Sequence, residues 1–356
     1  MSAVGLIIGE CETRLWGMTG HERARRTLVG AGLPLEGEGS LVMLRADWVV
    51  DPALVGLLKA QPHSVLVSRG VPVAANGGPE HVAAMREGKI PADLKVIEHQ
   101  GGMIYLPTLR KRLEPALLPL IPETVGTAEK ATFKGSYKGV TDLVTKYVWP
   151  LPARLVTRWC AEKGISPNTV TLVSLGLVLV AMAAFWQGWF AAGLVAAWVM
   201  TFLDTVDGKL ARVTLRSTKL GNAFDHGIDL IHPPFWWWAW YVGCLKMGAA
   251  PPWLDNALAV TLAGYVILRL EEGAFIQLFG MHIHVWRRFD SLFRLVVSRR
   301  NPNLLVLSVA AAMGQPGWGL AAVAAWTALS VLVHAVRLAQ AIAARRSGPV
   351  ESWLAG

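Results

Sequence analysis

Hydrophobic and polar positions divide the chain into two stretches suited to different solvents. From Met1 to about Thr127, short β-branched runs alternate with segments of helical period. Ala3–Ile8, Leu41–Leu44 and Ser64–Val67 read as buried strands, and Thr19–Ala31 and Pro52–Leu58 as helices between them. This alternation predicts a βαβ unit within a small α/β domain over residues 1–127. Residues 128–165 read as a connection. A polar part with Lys130, Lys134, Lys138 and Lys146 leads to Pro150–Lys163, where Leu151, Leu155, Val156 and Trp159 oppose Arg154, Arg158 and Lys163 at helical spacing. That is the pattern of a helix lying in a membrane interface, the plainer alternative being a surface helix of a soluble domain.

Beyond Ile165 the apolar runs lengthen. A helix needs about 20 predominantly apolar residues to cross a bilayer. Six segments meet or approach that: Pro167–Trp186, Trp189–Ala211, Leu220–Lys246, Trp253–Phe275, Leu304–Gly314 with its flanks, and Trp318–Ala341. The expected fold is therefore an α-helical integral membrane domain of six transmembrane helices over residues 166–345, preceded by a small cytoplasmic α/β domain. Lys209, Arg212, Arg216 and Lys219 follow the second span, Arg287, Arg288, Arg294, Arg299 and Arg300 the fourth, and Arg345 and Arg346 the sixth; the opposite loops carry little beyond Lys246. Positive residues stay on the cytoplasmic side, so both termini are expected there. Trp186, Trp189, Trp236, Trp237, Trp238, Trp240, Trp253 and Trp318 fall at the outer ends, where indoles favour the lipid–water boundary.

Composition agrees: 53% of residues are hydrophobic, 17% charged, and the mean hydropathy is +0.40, which excludes a wholly soluble chain. The formal charge of +9 sits beside apolar stretches, so the expected partner is anionic lipid and not nucleic acid. Cys11, Cys160 and Cys244 are widely separated and read as free thiols. The opening MSAVGLIIGECETRL has no basic leader, so the first segment is expected to remain cytoplasmic.

The candidate chemistry lies in Asp204-Thr-Val-Asp207-Gly208-Lys-Leu-Ala211-Arg212, followed by Gly221, Asp225 and Asp229. On helices, Asp204 and Asp207 share one face, as do Gly221, Asp225 and Asp229. Ionised groups in or near hydrocarbon are costly unless paired, wetted or coordinated, so four facing carboxylates imply a cation. An all-oxygen set suits Mg²⁺ or Mn²⁺, and also Ca²⁺. Gly208, Ala211 and Gly221 leave room for a substrate beside the acids, and Arg212 is suited to phosphate oxygens. An ion pathway or a structural salt-bridge network is the alternative for such acids.

The spacing D-x2-D-G-x2-A-R-x8-G-x3-D-x3-D resembles the signature of the CDP-alcohol phosphotransferases at every fixed position. The resemblance covers about Lys146 to Ala341 and includes the entry Ser166-Pro167-Asn168-Thr169-Val170-Thr171. It implies a dimeric six-helix membrane fold with a polar cavity open to the cytoplasm of a bacterial or archaeal inner membrane. It implies two divalent ions held by Asp204, Asp207 and Asp225, with Asp229 as a further ligand or as base, and Gly208, Ala211, Arg212 and Gly221 shaping the CDP site. The donor is expected to be CDP-diacylglycerol or a CDP-polyol and the acceptor a hydroxyl, such as that of a sugar or inositol phosphate. A transporter that uses its intramembrane carboxylates is the rival expectation, and a catalytically inert scaffold a third.

Several weaker signals surround this one. His226 and His232 complete no metal-ligand spacing and are expected to pack or hydrogen-bond. Pro233-Pro234 is expected to kink the third span. Arg269, Glu271 and Glu272 either line an acceptor pocket or mark a helix end. The run from Arg287 to Arg300 is expected to touch anionic lipid, with Arg294 or Arg299 binding an acceptor phosphate as the sharper reading. Gly5-Leu-Ile-Ile-Gly9-Glu-Cys11-Glu-Thr-Arg14-Leu15, with Arg23, Arg26 and Arg45-Ala46-Asp47, resembles a sugar-phosphate nucleotidyltransferase. It departs from that family at Cys11, where a glycine is usual, and around Gly20-His21-Glu22, where a Pro-Lys pair is missing. The first domain is therefore expected to be inactive and to serve regulation, assembly or acceptor presentation. A bifunctional chain that also makes its own CDP-alcohol is the alternative.

Overall fold

A computed structural model describes residues 3–99 and 101–356, without the side chains of Lys219 and Asn222. The first region is α/β. Strands β1 (Val4–Ile8) and β4 (Leu41–Arg45) pair in parallel across helix α1 (Gly20–Gly30), giving the expected βαβ unit. The full sheet runs β1-β4-β7-β6-β8, with β6 at Ser64–Ser68, β7 at Val71–Gly77 and β8 at Lys95–Glu98. Strand β7 was not foreseen, and it separates β4 from β6, pairing antiparallel with both. The two-residue turn Arg69-Gly70 supplies the reversal, both residues having positive φ, 50° and 77°. Helices α2 (Pro52–Ala60) and α3 (Val82–Arg86) cover the sheet, and short pairs β2–β3 (Arg14–Leu15, Met18–Thr19), β5–β11 (Trp48–Val50, Leu117–Pro119) and β9–β10 (Ile104–Leu106, Lys111–Leu113) extend from it.

The expected polar connection is in part a helix, α4 (Val125–Ser136), which starts before residue 128 and buries Ala128 and Phe133. Its lysines lie on the outer face of an amphipathic element, which is why the stretch reads as polar. Helix α5 (Pro150–Glu162) buries Ala153, Thr157, Cys160 and Ala161 and exposes Leu151, Leu155 and Trp159, so one apolar face is left uncovered.

Helices occupy all six stretches expected to span a membrane: α6 (Pro167–Trp186), α7 (Phe190–Val213), α8 (Lys219–Lys246), α9 (Leu254–Phe279), α11 (Arg300–Ala312) and α12 (Pro316–Arg345), with the short α10 (Arg288–Phe293) before α11. Among the described residues, α6, α7 and α12 are long and apolar enough to cross a bilayer. Of the others, α9 carries Arg269, Glu271 and Glu272, and α11 has 13 residues.

The expectation that the tryptophans gather at the lipid–water boundary fails for three of them. Trp236, Trp237 and Trp240 are fully buried in a core with Phe185, Met200, Leu304 and Leu320. Trp236 Nε1 donates to the Val178 carbonyl at 3.0 Å and Trp240 Nε1 to that of Pro316 at 2.9 Å, satisfying the polar end of each indole inside the bundle. Trp189 and Trp318 are exposed.

A second core joins the two regions: Trp16 and Met18 of the α/β part share it with Phe133, Cys160, Val170, Leu210 and Val213. Arg23 Nη1 and Arg26 Nη1 of α1 donate to the Val213 and Thr214 carbonyls at 3.3 and 2.8 Å, capping the end of α7 from outside. Gly17, at φ 74°, presses against α5 so closely that a Cβ there would lie 2.5 Å from the Ala161 carbonyl oxygen. Gly17→Ala should therefore destabilise the full-length protein by on the order of 2 kcal/mol. Gly56→Ala, inside α2 with open space around it, should be neutral or stabilise by about 1 kcal/mol. Thermal unfolding in detergent checks both, and equal melting temperatures for the two variants would contradict this tight docking.

Candidate functional site

The site begins with two helix starts. Ser166 caps α6 by accepting from Thr169 N at 3.1 Å with Pro167 in the first turn, and Thr218 caps α8 by accepting from Gly221 N at 3.0 Å. These caps fix where α6 and α8 begin beside the last turns of α7. Asp204, Asp207 and Asp225 then come together: each presents a carboxylate oxygen, and the three atoms lie within 4.8 Å of one another. Asp207 is 3% exposed; its Oδ2 accepts from Thr171 Oγ1 at 2.6 Å, and its Oδ1 is buried with no partner.

Such a set fits a hard divalent cation. The donors are all oxygen, and the orphaned Asp207 oxygen is the kind of buried group that a bound ion satisfies. Asp229 lies outside this trio and is linked to it through Arg300, whose Nη2 donates to Asp204 Oδ2 at 2.5 Å while Nη1 donates to Asp229 Oδ1. Sequence reasoning missed Arg300, assigning it to a lipid-facing basic run. Its place at the start of α11, the fifth expected span, is the signal that could have found it.

The residues expected to shape a nucleotide site divide. Gly208 and Gly221 border the acids; a Cβ at Gly208 would lie 3.0 Å from Arg212 Nη2, and one at Gly221 2.9 Å from Thr218 Oγ1. Ala211 is half-buried on the same helix. Arg212 directs Nε to the Ser136 carbonyl at 2.8 Å, and its neighbour Lys209 sits 3.9 Å from the centre of the Tyr137 ring. Lys209, read from sequence as a marker of membrane sidedness, and Arg212, read also as suited to phosphate oxygens, hold the end of α4 against α7.

His226 Nδ1 lies 3.7 Å from Asp225, whereas His232 Nδ1 pairs with the Ile228 carbonyl at 2.7 Å and its ring packs on Trp236, as expected of a packing histidine. Pro233 and Pro234 sit within α8, and having no N–H they leave the carbonyls of Asp229 and Leu230 without their usual helical donors. Tyr265 Oη donates to the Leu230 carbonyl at 2.7 Å.

A second cluster lies toward α9 and α10. Glu272 receives Arg299, Arg269 at 3.2 Å and His284 at 3.2 Å. Glu272, His284 and His334 also have ligand atoms within 4.8 Å of one another, but the guanidinium groups already supply the positive charge there. Arg294 is 7% exposed, whereas Arg287 and Arg288 are exposed, so the basic run does not face a single environment.

In the α/β region a cavity of about 490 Å³ opens at the carboxyl ends of β1 and β4, lined by Gly9, Glu10, His21, Arg45, Asp47 and Arg86 among others. Arg45 and Asp47 pair with each other at 2.7 Å. Arg23 and Arg26, part of the resemblance to a nucleotidyltransferase, are turned to the end of α7. The burial of Arg23, partly offset by Asp51, draws its guanidinium down to about 10.

Residues 164–285 match the CDP-alcohol phosphatidyltransferase family. The chain is similar to an archaetidylinositol phosphate synthase of Pyrococcus horikoshii, 37% identical over 22% of this chain and 42% of that protein. It is also similar to cholinephosphotransferase 1 of Xenopus laevis, 29% identical over 41% of this chain and 38% of that one. A bifunctional IPC transferase and DIPP synthase of Rubrobacter xylanophilus is 24% identical over 57% of this chain and 44% of its own length. The chain thus spans less than half the length of each of these relatives. The matched segment contains every acid of the site and is similar to the CDP-alcohol phosphatidyltransferase domain.

Proposed function

We propose that this protein transfers a phosphate-linked alcohol from a CDP-alcohol to a hydroxyl acceptor and releases CMP. The observation that carries this reading is the convergence of Asp204, Asp207 and Asp225 around a buried, unpartnered carboxylate oxygen inside the family-matched segment. In this reading all six long helices span the membrane, the polar ends of α7 and α8 face the cytoplasm with both termini, and two copies associate.

Asp204, Asp207 and Asp225 would hold the metal, with Asp229 as a further ligand or as base. Two divalent ions, Mg²⁺ or Mn²⁺, supply neutralisation of the pyrophosphate charge when bound. Asp229 accepts the acceptor's hydroxyl proton as that oxygen forms a bond to the phosphorus next to the alcohol. The bond from that phosphorus to the bridging oxygen breaks, and its electron pair leaves on the phosphate of CMP. Arg300, which ties Asp229 to Asp204, keeps the base oriented and offsets the negative charge of the acids. Gly208, Ala211, Arg212 and Gly221 shape the CDP site, the small residues by admitting the donor close to the helix backbones.

The relatives include proteins named for inositol phosphate and for choline, and the buried Arg294 with Arg299 favours an acceptor that carries phosphate. The donor is CDP-diacylglycerol or a CDP-polyol. The α/β region serves assembly in this reading, because its arginines hold α7.

Asp207→Asn, Asp225→Asn or Asp229→Asn should each lower donor-dependent CMP release by about 10²-fold or more. Chelation should abolish release, and Mg²⁺ or Mn²⁺ should restore it. Ion flux into vesicles that is lost in these variants, without any CMP from a panel of CDP-alcohols and alcohols, would point to a transporter instead. Arg294→Gln or Arg299→Gln should raise the acceptor's KM more than the donor's; equal effects would count against a phosphate-bearing acceptor.

A further inference from the structure

Arg300, which bridges Asp204 and Asp229, lies beyond the family-matched segment 164–285. It is the first residue of α11, so no earlier helical turn supports it. Arg299 before it is extended, with φ −139° and ψ 174°, and Pro302 after it has no backbone N–H to donate. The direction of this side chain therefore depends on what grips the helix start from outside.

Two elements supply the grip. From α12, Ser330 Oγ accepts from Ser298 N at 3.1 Å and Thr327 Oγ1 pairs with Ser298 Oγ at 2.7 Å, while Asn303 Nδ2 donates to Ser298 Oγ at 3.0 Å. The second element is the stretch 142–149, which precedes the matched segment. Asn301, 5% exposed, donates through Nδ2 to Asp142 Oδ1 at 3.0 Å and to Thr145 Oγ1 at 3.2 Å. Asp142, 7% exposed, also accepts from Thr145 N at 2.9 Å and from Thr145 Oγ1 at 2.8 Å. These donors are neutral, so the buried carboxylate is held by hydrogen bonds and the loss of any one leaves charge unsatisfied. Because a carboxylate only accepts, the Asn301 amide has one workable orientation.

The same stretch is fastened to α7. Val144–Val148 form a single wide turn, closed by Trp149 N on the Val144 carbonyl at 3.1 Å. The Trp149 ring then packs edge-on against Phe202 and Trp198 of α7, with ring centres 5.2 and 6.2 Å away. Residues 142–149 thus join α7, which carries Asp204, to α11, which carries Arg300. The Arg300–Asp204 ion pair spans that same junction.

We propose that Asp142, Thr145 and Asn301 are positioning residues, which set the start of α11 so that one guanidinium reaches Asp204 and Asp229 together. The hold on α11 rests on the hydrogen bonds above; its bearing on turnover rests on the phosphotransferase reading, in which Arg300 orients Asp229 toward the acceptor hydroxyl. A small tilt of the helix start would withdraw Arg300 from one acid without touching either substrate, so the rate should suffer and binding should not.

The test uses full-length protein in detergent, with hydrogen exchange and CMP-release kinetics measured at a temperature where every variant is folded. Asn303 N donates to the Arg299 carbonyl at 2.9 Å, and its exchange reports the first turn of α11. Asn301→Ala and Asp142→Asn should each speed that exchange by about tenfold and lower kcat by about tenfold or more, leaving the KM of donor and acceptor within about twofold. The exchanged pair, Asp142→Asn with Asn301→Asp, restores an amide donor opposite a carboxylate and should bring kcat back to within about threefold of the wild type. Unchanged exchange in both single variants would overturn the hold on α11. Faster exchange with unaltered kcat, or with KM values that rise as kcat falls, would overturn the positioning role. Should Asp142→Asn not fold, Asn301→Ala and the exchanged pair decide. Wild-type protein that releases no CMP from any CDP-alcohol would sink the phosphotransferase reading, and exchange alone would then decide the hold on α11.

Discussion

A charge carried to the end of an apolar helix bundle has to be met by an opposite charge, a hydrogen bond or a bound ion, and the polar end of this protein is organised by that requirement. Of the four aspartates on α7 and α8, Asp204 and Asp229 are answered by Arg300 and Asp207 by Thr171, and the unpartnered Asp207 Oδ1 is suited to a cation. Elsewhere in the bundle, Glu272 and Asp142 face a surplus of guanidinium groups.

The acids were legible because their chemistry is tied to helical spacing: residues three and four apart share a face whatever else the chain does. The βαβ unit and the six helical stretches were legible from periodicity for the same reason. What was missed depends on neighbours that are distant in sequence. Arg300 lies 71 residues from Asp229, and nothing in a run of arginines says which one turns inward. The indoles of Trp236, Trp237 and Trp240 have the same amphipathic character at an interface as in a core, and only the carbonyls of Val178 and Pro316 settle the matter for Trp236 and Trp240. Strand β7 escaped because Pro72 and the small residues Ala74 and Ala75 weaken its pattern, whereas the Arg69-Gly70 turn was its available signal.

The nucleotidyltransferase-like features of the first region take on a different sense in the folded chain. Arg23 and Arg26, which belong to that resemblance, cap the end of α7, and Glu22 holds Arg25 and Arg26, its own carboxyl drawn down to about 2 chiefly by Arg25. Cys11, which stands where a glycine would open the loop, directs its thiol to the Leu120 carbonyl at 3.5 Å. A surface that reads as a ligand loop is used as joinery.

The shared core of Trp16, Phe133, Val170, Leu210 and Val213 bears on modularity. A piece trimmed to the family-matched stretch would present Val170, Leu210 and Val213 to water and leave two α7 carbonyls bare, at the very helix that carries Asp204 and Asp207. The segment that sequence comparison delimits as a unit is therefore not a unit of folding. In this chain the boundary of homology runs through the middle of a continuous interior.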